Sequence, residues 1–367
     1  MNQQRNASFD LLKIISMFMV VVLHAFGNGK ALAMSTTGSM NWLLGNIING
    51  FCIVAVNCFA LISGYYLCTA PFKLKKLARL WLMSVFWSIG LYLLSAFVLH
   101  TDTFSLNGIV KSVLVFTWKP WWYLTQYILL YLCTPFINSA IHSMTKGKHF
   151  SCCVVAITIF SILPTITIFG SDFSGIGTGF SFIWLICLYL VASYIRLYIV
   201  QPSSVEWRWL TVYVLFSLIV AGESLIRHVV VIPGNMNLFY AYNSTVCFGS
   251  SLGLFMFIRS CHFSSRLVYK TIEFVSPLTF AVFLIHHFPQ NKELLWETIH
   301  LYSYGDSPLL ILYVIGFSIL IFSICIMAEY LRVLLFKLIR ITSFVDVVCD
   351  RIQRKYTLII NRDIDRI

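Results

Sequence analysis

Long apolar runs separated by short polar stretches dominate the chain. Each run is long enough to cross a bilayer as an α-helix, because about 20 apolar residues span its hydrocarbon core. The pattern predicts an all-α, polytopic integral membrane protein. We predict ten transmembrane helices at residues 9–27, 43–68, 78–99, 121–141, 151–170, 179–199, 208–230, 238–259, 272–290 and 308–331.

Lys and Arg are distributed unevenly between the two sides of these ten spans. If the N-terminus lies in the cytoplasm, 21 of the 26 basic residues fall on the cytoplasmic side. Cytoplasmic loops of membrane proteins carry an excess of Lys and Arg. The distribution therefore supports ten spans with both termini in the cytoplasm, since one missed early span would move every later loop to the other side.

The composition narrows the class of protein further. The chain is 59% hydrophobic and 11% charged, and its net charge of +12 comes from the cytoplasmic loops, so nucleic-acid binding is not expected. Its 11 cysteines form no CxxC pair, and we expect neither a metal site nor disulfides. The first span does not end in a small-residue cleavage site and is expected to be retained. We predict a membrane domain at 1–335 and a charged cytoplasmic tail at 336–367.

The first span carries three ionisable residues, Asp10, Lys13 and His24, within an apolar run. Lys13 and His24 are close to three helical turns apart, so they share one face at a separation of about 16 Å along the axis. Asp10 lies one turn before Lys13. An ion pair at the helix end and an interfacial histidine would explain them without a function. Because ionisable groups are costly inside a membrane, we favour a functional site.

A basic run follows the second span in a short cytoplasmic loop. It contains Lys73, Lys75, Lys76 and Arg79. Anchoring at the inner surface would explain these charges, and so would binding of a phosphorylated ligand from the cytoplasm. Just before the run, Ser63 and Gly64 are small residues that allow close packing of helices.

Further polar and aromatic residues mark three later spans. They are Trp122, Tyr123 and Gln126 in the fourth span, Glu223 and Arg227 in the seventh, and His286 and His287 in the ninth. An aromatic belt would explain Trp122 and Tyr123, and stacking on the acceptor sugar is the alternative. A local ion pair would explain Glu223 and Arg227, and a polar wall of the site is the alternative. Adjacent helical residues point about 100° apart, so we expect at most one of the two histidines to face a site.

The predicted topology gives these residues two depths in the membrane. The first, seventh and ninth spans run in the same direction, and His24, Glu223 and His286 lie at similar distances from their starts. The sequence thus predicts an outer polar layer around His24 and an inner layer around Lys13 and the basic run. One face of the first helix joins the two layers.

The order of these motifs resembles acyltransferase family 3, a family of integral membrane acyltransferases. The resemblance rests on Arg5, Asp10, Lys13 and His24, on Ser63, Gly64 and Tyr65, on Lys76 and Arg79, on the aromatic pattern from Trp122 to Pro135, and on the ninth span. Lys76 stands where the family has Arg, and Trp121 and Gln126 stand where some members carry His or Glu. A catalytic acid on the fourth span is therefore not expected.

The resemblance implies an O-acyltransferase of the cytoplasmic membrane, of the kind found in bacteria. Its donor would be cytoplasmic acetyl-CoA or another acyl-CoA. Its acceptor would be a hydroxyl of a surface polysaccharide, another cell-envelope glycan or a lipid-linked precursor. The alternative function is a transporter or flippase for a lipid-linked saccharide, although we find no inverted repeats to support it.

Acyl transfer to a hydroxyl needs a base near neutral pH, which favours imidazole. We expect His24 to be that base, or to carry the acyl group itself. Asp10 and Lys13 are expected to orient the inner part of the first helix or to contact the donor. CoA binding is expected of Lys73, Lys75, Lys76, Arg79, Ser63 and Gly64. We expect His286 and Glu223 to orient the acceptor or polarise the carbonyl, and the acceptor to be contacted by Trp122, Tyr123, Gln126 and Arg227.

Overall fold

The computed structural model describes residues 7–118, 121–166, 176–229 and 238–364, with the backbone alone for 227–229 and 356–364. Within these ranges the regular structure is helical, as the hydrophobic pattern predicts. The helices are α1 (Ala7–Gly27), α2 (Met40–Cys52), α3 (Ala55–Leu67), α4 (Leu74–Leu94), α5 (Leu106–Val113), α6 (Trp122–Ser143), α7 (Lys146–Ile157), α8 (Leu163–Ile166), α9 (Phe182–Tyr198), α10 (Trp207–Val229), α11 (Thr245–Ser260), α12 (Arg266–Val275), α13 (Thr279–His286), α14 (Lys292–Ile299), α15 (Leu310–Leu338) and α16 (Ile341–Ile364).

Eight helical segments in the described part of the chain are long and apolar enough to cross a membrane. They are Ala7–Gly27, Met40–Leu67, Leu74–Leu99, Trp122–Ser143, Lys146–Ile166, Trp207–Ile226, Arg266–His286 and Leu310–Leu338. All eight coincide with predicted spans. The other two predicted spans fall on the shorter apolar helices α9 and α11. The all-helical membrane architecture is confirmed, while the count of ten and the orientation of the termini stay predictions.

Helix α11 starts later than its apolar run predicts, because a cap sets its first turn. The Ser244 hydroxyl accepts a hydrogen bond from the Cys247 amide at 3.0 Å, which satisfies one of the free amides of the first turn. Residues 238–243 form turns ahead of this cap. The Tyr242 amide donates to the Thr178 carbonyl at 2.9 Å, which ties these turns to the segment before α9. Tyr242 is thereby held in place beside the site described below.

Helix α1 lies at the centre of the molecule. It packs against α2, α3, α11, α12, α13 and α15. Near its start, the fully buried Phe9 ring lies 4.7 Å from Tyr65 of α3 and 5.0 Å from Phe255 of α11, measured between ring centroids. The apolar face of α1 is therefore covered on several sides, and its polar residues are held among buried neighbours.

The ninth predicted span is interrupted by a short 3₁₀ turn, Ser276–Leu278, between α12 and α13. Pro277 lies in this turn, where its ring lacks the amide hydrogen that a continuous helix would need. The turn is packed against α1. It brings Ser276 to one end of α1, while α13 carries His286 toward the other.

The last helix, α16, packs against α4 rather than extending away from the membrane domain. The Lys75 ammonium donates to Asp350 at 3.2 Å, and the Arg79 guanidinium donates to the Asp346 carboxylate through Nε at 2.8 Å and through Nη2. The hydrogen bonds from Arg79 lower the pKa of Asp346 below its ordinary value. Residues predicted as a charged tail thus include a helix that is bound to the basic run.

Candidate functional site

His24 and His286 meet between α1 and α13. The His24 Nδ1 atom lies 2.8 Å from the His286 Nε2 atom, and the His286 Nδ1 atom lies 2.5 Å from the Val282 carbonyl oxygen. A carbonyl only accepts, so His286 Nδ1 carries a proton and, in a neutral ring, Nε2 is an acceptor. His24 Nδ1 must then donate, which leaves its Nε2 unprotonated. The hydrogen bonds of the protein thus select the tautomer of His24 in which Nε2 is the basic nitrogen.

His287 also contacts His24, which the sequence did not predict. The two rings stack with centroids 4.1 Å apart and planes 15° apart. The expectation that at most one histidine faces the site assumed a continuous helix, but α13 ends at His286 and His287 has non-helical backbone angles. The Asn28 amide lies 3.4 Å from His287 Nδ1. His24 is therefore held by two rings, one at its edge and one on its face.

His24 lines a mainly apolar cavity of about 160 Å³, which we call the histidine cavity. Trp122, Tyr123 and Tyr242 contribute aromatic surface to it. The Trp122 and Tyr242 rings stack with centroids 5.9 Å apart. In the part of the chain that the structure describes, His24 Nε2 has no hydrogen-bond partner. The cavity therefore presents a free imidazole nitrogen in apolar surroundings.

A second cavity of about 320 Å³, which we call the lysine cavity, adjoins the first. Its polar residues are Lys13, Lys76, Ser63, Ser276, Thr279 and the tyrosines Tyr123, Tyr127 and Tyr131. Phe59, Tyr123 and Phe280 line both cavities. Lys13 and His24, predicted to share one face of the first helix, line adjoining cavities.

The base of the lysine cavity is fixed by a network around Asp10. The Asp10 carboxylate accepts hydrogen bonds from the Lys13 ammonium at 2.9 Å and from the Ser276 hydroxyl at 2.8 Å. Asp10 is 4% exposed, whereas the Lys13 side chain keeps a third of its surface exposed. The buried carboxylate compensates the charge of Lys13 and joins α1 to the turn before α13. Asp10 thus holds Lys13 in place and does not itself line either cavity.

Most of the predicted CoA-binding residues lie outside the lysine cavity. Lys75 and Arg79 bind acidic residues of α16 as described, and the Lys73 backbone is hydrogen-bonded to the Tyr131 hydroxyl. A Cβ atom on Gly64 would come within 2.7 Å of the Tyr189 Cα, so Gly64 serves the close approach of α3 and α9. Of the predicted set, only Lys76 and Ser63 line the cavity.

Two of the predicted acceptor residues line the histidine cavity. Trp122 and Tyr123 do, and Gln126 of the same helix does not. The Glu223 carboxylate accepts hydrogen bonds from the backbone amides of Leu238 and Phe239 at 2.7 and 2.5 Å. Glu223 therefore anchors the segment before α11, and we do not carry its catalytic role forward. The Arg227 side chain lies outside the described residues, as does Arg5.

Several residues of the site escaped the sequence analysis. Tyr127 and Tyr131 follow Tyr123 at intervals of four along α6, and their stacked rings form one wall of the lysine cavity. This spacing places the three tyrosines on one face of a helix and could have been recognised in the sequence. Tyr242 and Ser276 gave no such signal, because they lie in turns whose position depends on packing. The described residues contain no group of three or more His, Cys, Asp or Glu side chains suited to a metal ion.

Comparison with known protein families indicates the class of enzyme. A family model described as an acyltransferase domain matches residues 6–330. The match covers both cavities and every residue that lines them. No curated protein and no solved structure matches the chain.

Proposed function

We propose that this protein transfers an acetyl group from acetyl-CoA to a glycan hydroxyl. The proposal starts from the family, since the chain belongs to acyltransferase family 3 and is a membrane acyltransferase. The acceptor would be a surface polysaccharide, another cell-envelope glycan or a lipid-linked precursor. The membrane would be the cytoplasmic membrane of a bacterium.

One observation carries the proposal, namely the hydrogen bond of His24 Nδ1 to His286, which leaves Nε2 as the basic nitrogen of a ring that lines one of two adjoining cavities. Transfer between two substrates needs a base that both can approach. A donor in the lysine cavity would reach His24 past the shared residues Phe59, Tyr123 and Phe280. An acceptor would approach His24 from its other side.

The donor end is supported by charge and by shape. Lys13 and Lys76 offer two ammonium groups to the phosphates of CoA at the end of the lysine cavity that lies farthest from His24 along α1. Its apolar and tyrosine-lined wall suits the uncharged pantetheine arm. The roughly 16 Å between Lys13 and His24 along α1 is then bridged by the arm that carries the thioester.

The reaction follows from these placements. His24 Nε2 takes the proton of the acceptor hydroxyl as the oxygen attacks the thioester carbonyl. The C–O bond forms, the C–S bond breaks, and the CoA thiolate leaves with the proton that His24 returns. His286 keeps the Nδ1 proton of His24 in place and stabilises the imidazolium between the two steps. Attack by His24 itself to give an acyl-histidine would use the same tautomer.

The test is the substitution His24→Ala in purified protein supplied with radiolabelled acetyl-CoA and candidate glycans. We expect transfer to fall by about 10²–10⁴-fold, as for loss of a general base. His142→Ala, which changes an exposed histidine that contacts the Cys68 carbonyl, is the matched control. Transfer by the His24 variant at the rate of the control would refute the assignment.

A further inference from the structure

A third cavity, of about 700 Å³, lies beyond the end of α1 next to His24. Residues 27–30, α14 and the turn after it surround this cavity, which we call the polar cavity. Its lining includes Asn28, Lys30, Lys292, Glu293, Trp296, Glu297, His300 and Tyr302. Its surface is more polar than that of the other two cavities. A site for a water-soluble group therefore adjoins the catalytic histidine proposed above.

The polar cavity is connected to His24 through named contacts. Asn28 lines it and also approaches His287, whose ring stacks on His24. Lys292, in the first turn of α14, lines the same cavity five positions after His287. A molecule bound against α14 would thus be separated from the His24 ring by Asn28 and His287.

The side chains of α14 have the chemistry of a saccharide site. Glu293 and Glu297 are one turn apart, and both are exposed on the helix that lines the cavity. Trp296 between them is 1% exposed, yet its Nε1 hydrogen has no acceptor among the described residues. A buried donor without a partner costs about 1–3 kcal/mol, which a ligand hydroxyl would recover once the indole N–H turns toward the cavity.

The balance of charge selects the kind of saccharide. Lys30 and Lys292 offset Glu293 and Glu297, and the described residues include no ion pair to any of the four. An acidic glycan would meet two carboxylates, and a cationic one would meet two ammonium groups. A neutral sugar instead gains acceptors for its hydroxyl hydrogens, donors for its ring and hydroxyl oxygens, and an aromatic donor in Trp296.

We propose that the polar cavity binds the acceptor as a neutral saccharide, with Glu293, Trp296 and Glu297 as its principal contacts. This proposal rests on the proposed function and names the place and chemical class of its second substrate. One sugar hydroxyl extends past Asn28 to His24 Nε2, while the rest of the sugar stays against α14. Substituents on the sugar that carry charge weaken binding.

The experiment measures binding separately from catalysis. Neutral oligosaccharides of glucose, galactose and N-acetylglucosamine, and sialylated and aminated counterparts, are titrated into full-length protein in nanodiscs by calorimetry. The proteins compared are the wild type and the variants Glu297→Gln and Trp296→Phe. Glu273→Gln makes the same chemical change near the start of the Arg266–His286 segment and is the control. Binding of acetyl-CoA is titrated in parallel.

We expect a neutral oligosaccharide to bind best, and each α14 variant to bind it about tenfold more weakly. Acetyl-CoA affinity and the control variant should be unchanged. Equal saccharide affinity in the wild type and both α14 variants would overturn the proposal, and so would preference for a charged saccharide or binding of none. If acetyl-CoA binds but the α14 variants have no effect, the polar cavity fails alone. If acetyl-CoA is neither bound nor consumed, the proposed function fails.

Discussion

The hydrogen bonds of His286 illustrate how the position of one proton decides the role of a histidine. His286 donates from Nδ1 to its own helix through Val282, so its Nε2 can only accept. The sequence analysis gave His286 the task of orienting the acceptor or polarising a carbonyl. Its geometry favours another role, because the nitrogen that would donate to a substrate is occupied. We therefore treat His286 as a positioning residue for His24.

The substitutions His286→Gln and His286→Leu test this positioning role. An amide oxygen can accept the Nδ1 hydrogen of His24, whereas Leu cannot, so Gln should retain much more activity. We expect kcat to fall roughly tenfold or more with Leu, and KM for acetyl-CoA to stay near the wild-type value. Steady-state kinetics of the two variants provide the measurement. Equal losses with Gln and Leu would indicate a packing role instead.

A second comparison at this scale concerns Lys76 and Lys75, which are adjacent but have different surroundings. Lys76 lines the lysine cavity, whereas Lys75 is paired with Asp350. We expect Lys76→Met to raise KM for acetyl-CoA by up to about tenfold, because a charge-assisted contact to phosphate is lost. Lys75→Met should change KM less than twofold. A larger effect at Lys75 than at Lys76 would indicate that CoA binds at the exposed side of the basic run and not in the lysine cavity.

Helix geometry made some of these residues predictable and left others hidden. The Asp10–Lys13 pair and the shared face of Lys13 and His24 follow from spacing within one helix. The bond from His24 to His286 joins residues 262 positions apart, and no spacing encodes the packing of α1 on α13. His287 was missed for a local reason, since the end of α13 could not be placed to a single residue.

At the scale of elements, the crossing of α3 and α9 depends on Gly64. The backbone of Tyr189 lies so close that any Cβ atom at position 64 would overlap it. The sequence placed Gly64 correctly as a residue for close packing, and separately as part of a ligand site. The geometry favours the packing role, and the difference has a measurable consequence.

We expect Gly64→Ala to lower the free energy of unfolding by about 1–3 kcal/mol through overpacking, with KM for acetyl-CoA unchanged. Gly90→Ala is the matched control, since nothing lies within 4 Å of a Cβ atom at position 90 of α4. There Ala should be neutral or slightly stabilising, because it forms helix better than Gly. Thermal unfolding in detergent compares the two. A stable Gly64 variant with weakened donor binding would contradict the packing role.

Helix α16 adds contacts to the segment 336–367, which was predicted only as a charged cytoplasmic tail. Its acidic residues Asp346 and Asp350 bind Arg79 and Lys75 of α4, and the side-chain amide of Gln353 donates to the Phe72 carbonyl in the loop before α4. The pairing could not be predicted, because it depends on where α15 returns the chain to the surface.

For the whole molecule, the strongest prediction is the side from which each substrate enters. The distribution of Lys and Arg predicts that the Lys13 end of α1 faces the cytoplasm, from which the proposed donor acetyl-CoA would come. The polar cavity lies at the other end of α1, so the acceptor should enter from outside. Sealed vesicles of known orientation, given acetyl-CoA on one face and acceptor on the other, measure this directly. We expect transfer only when acetyl-CoA is on the cytoplasmic face.

The converse result is equally informative. Transfer driven by acetyl-CoA on the extracytoplasmic face alone would contradict both the predicted topology and the donor path. Permeabilised vesicles should be active in either arrangement, which controls for loss of enzyme during preparation. If the extracytoplasmic face alone supports transfer, the prediction of ten spans must be revised, since each added or lost span moves every later loop to the other side.

The residues shared by the histidine and lysine cavities also bear on the ion gradient across the membrane. Two openings toward opposite faces of a membrane would short-circuit an ion gradient if water joined them. Phe59, Tyr123 and Phe280 line both cavities, so an uncharged arm that fills the space between them would exclude a continuous file of water. The same three rings that let a thin, uncharged arm pass would act as electrical insulation. If the acetyl group crosses the membrane as proposed, it would do so without discharging the ion gradient.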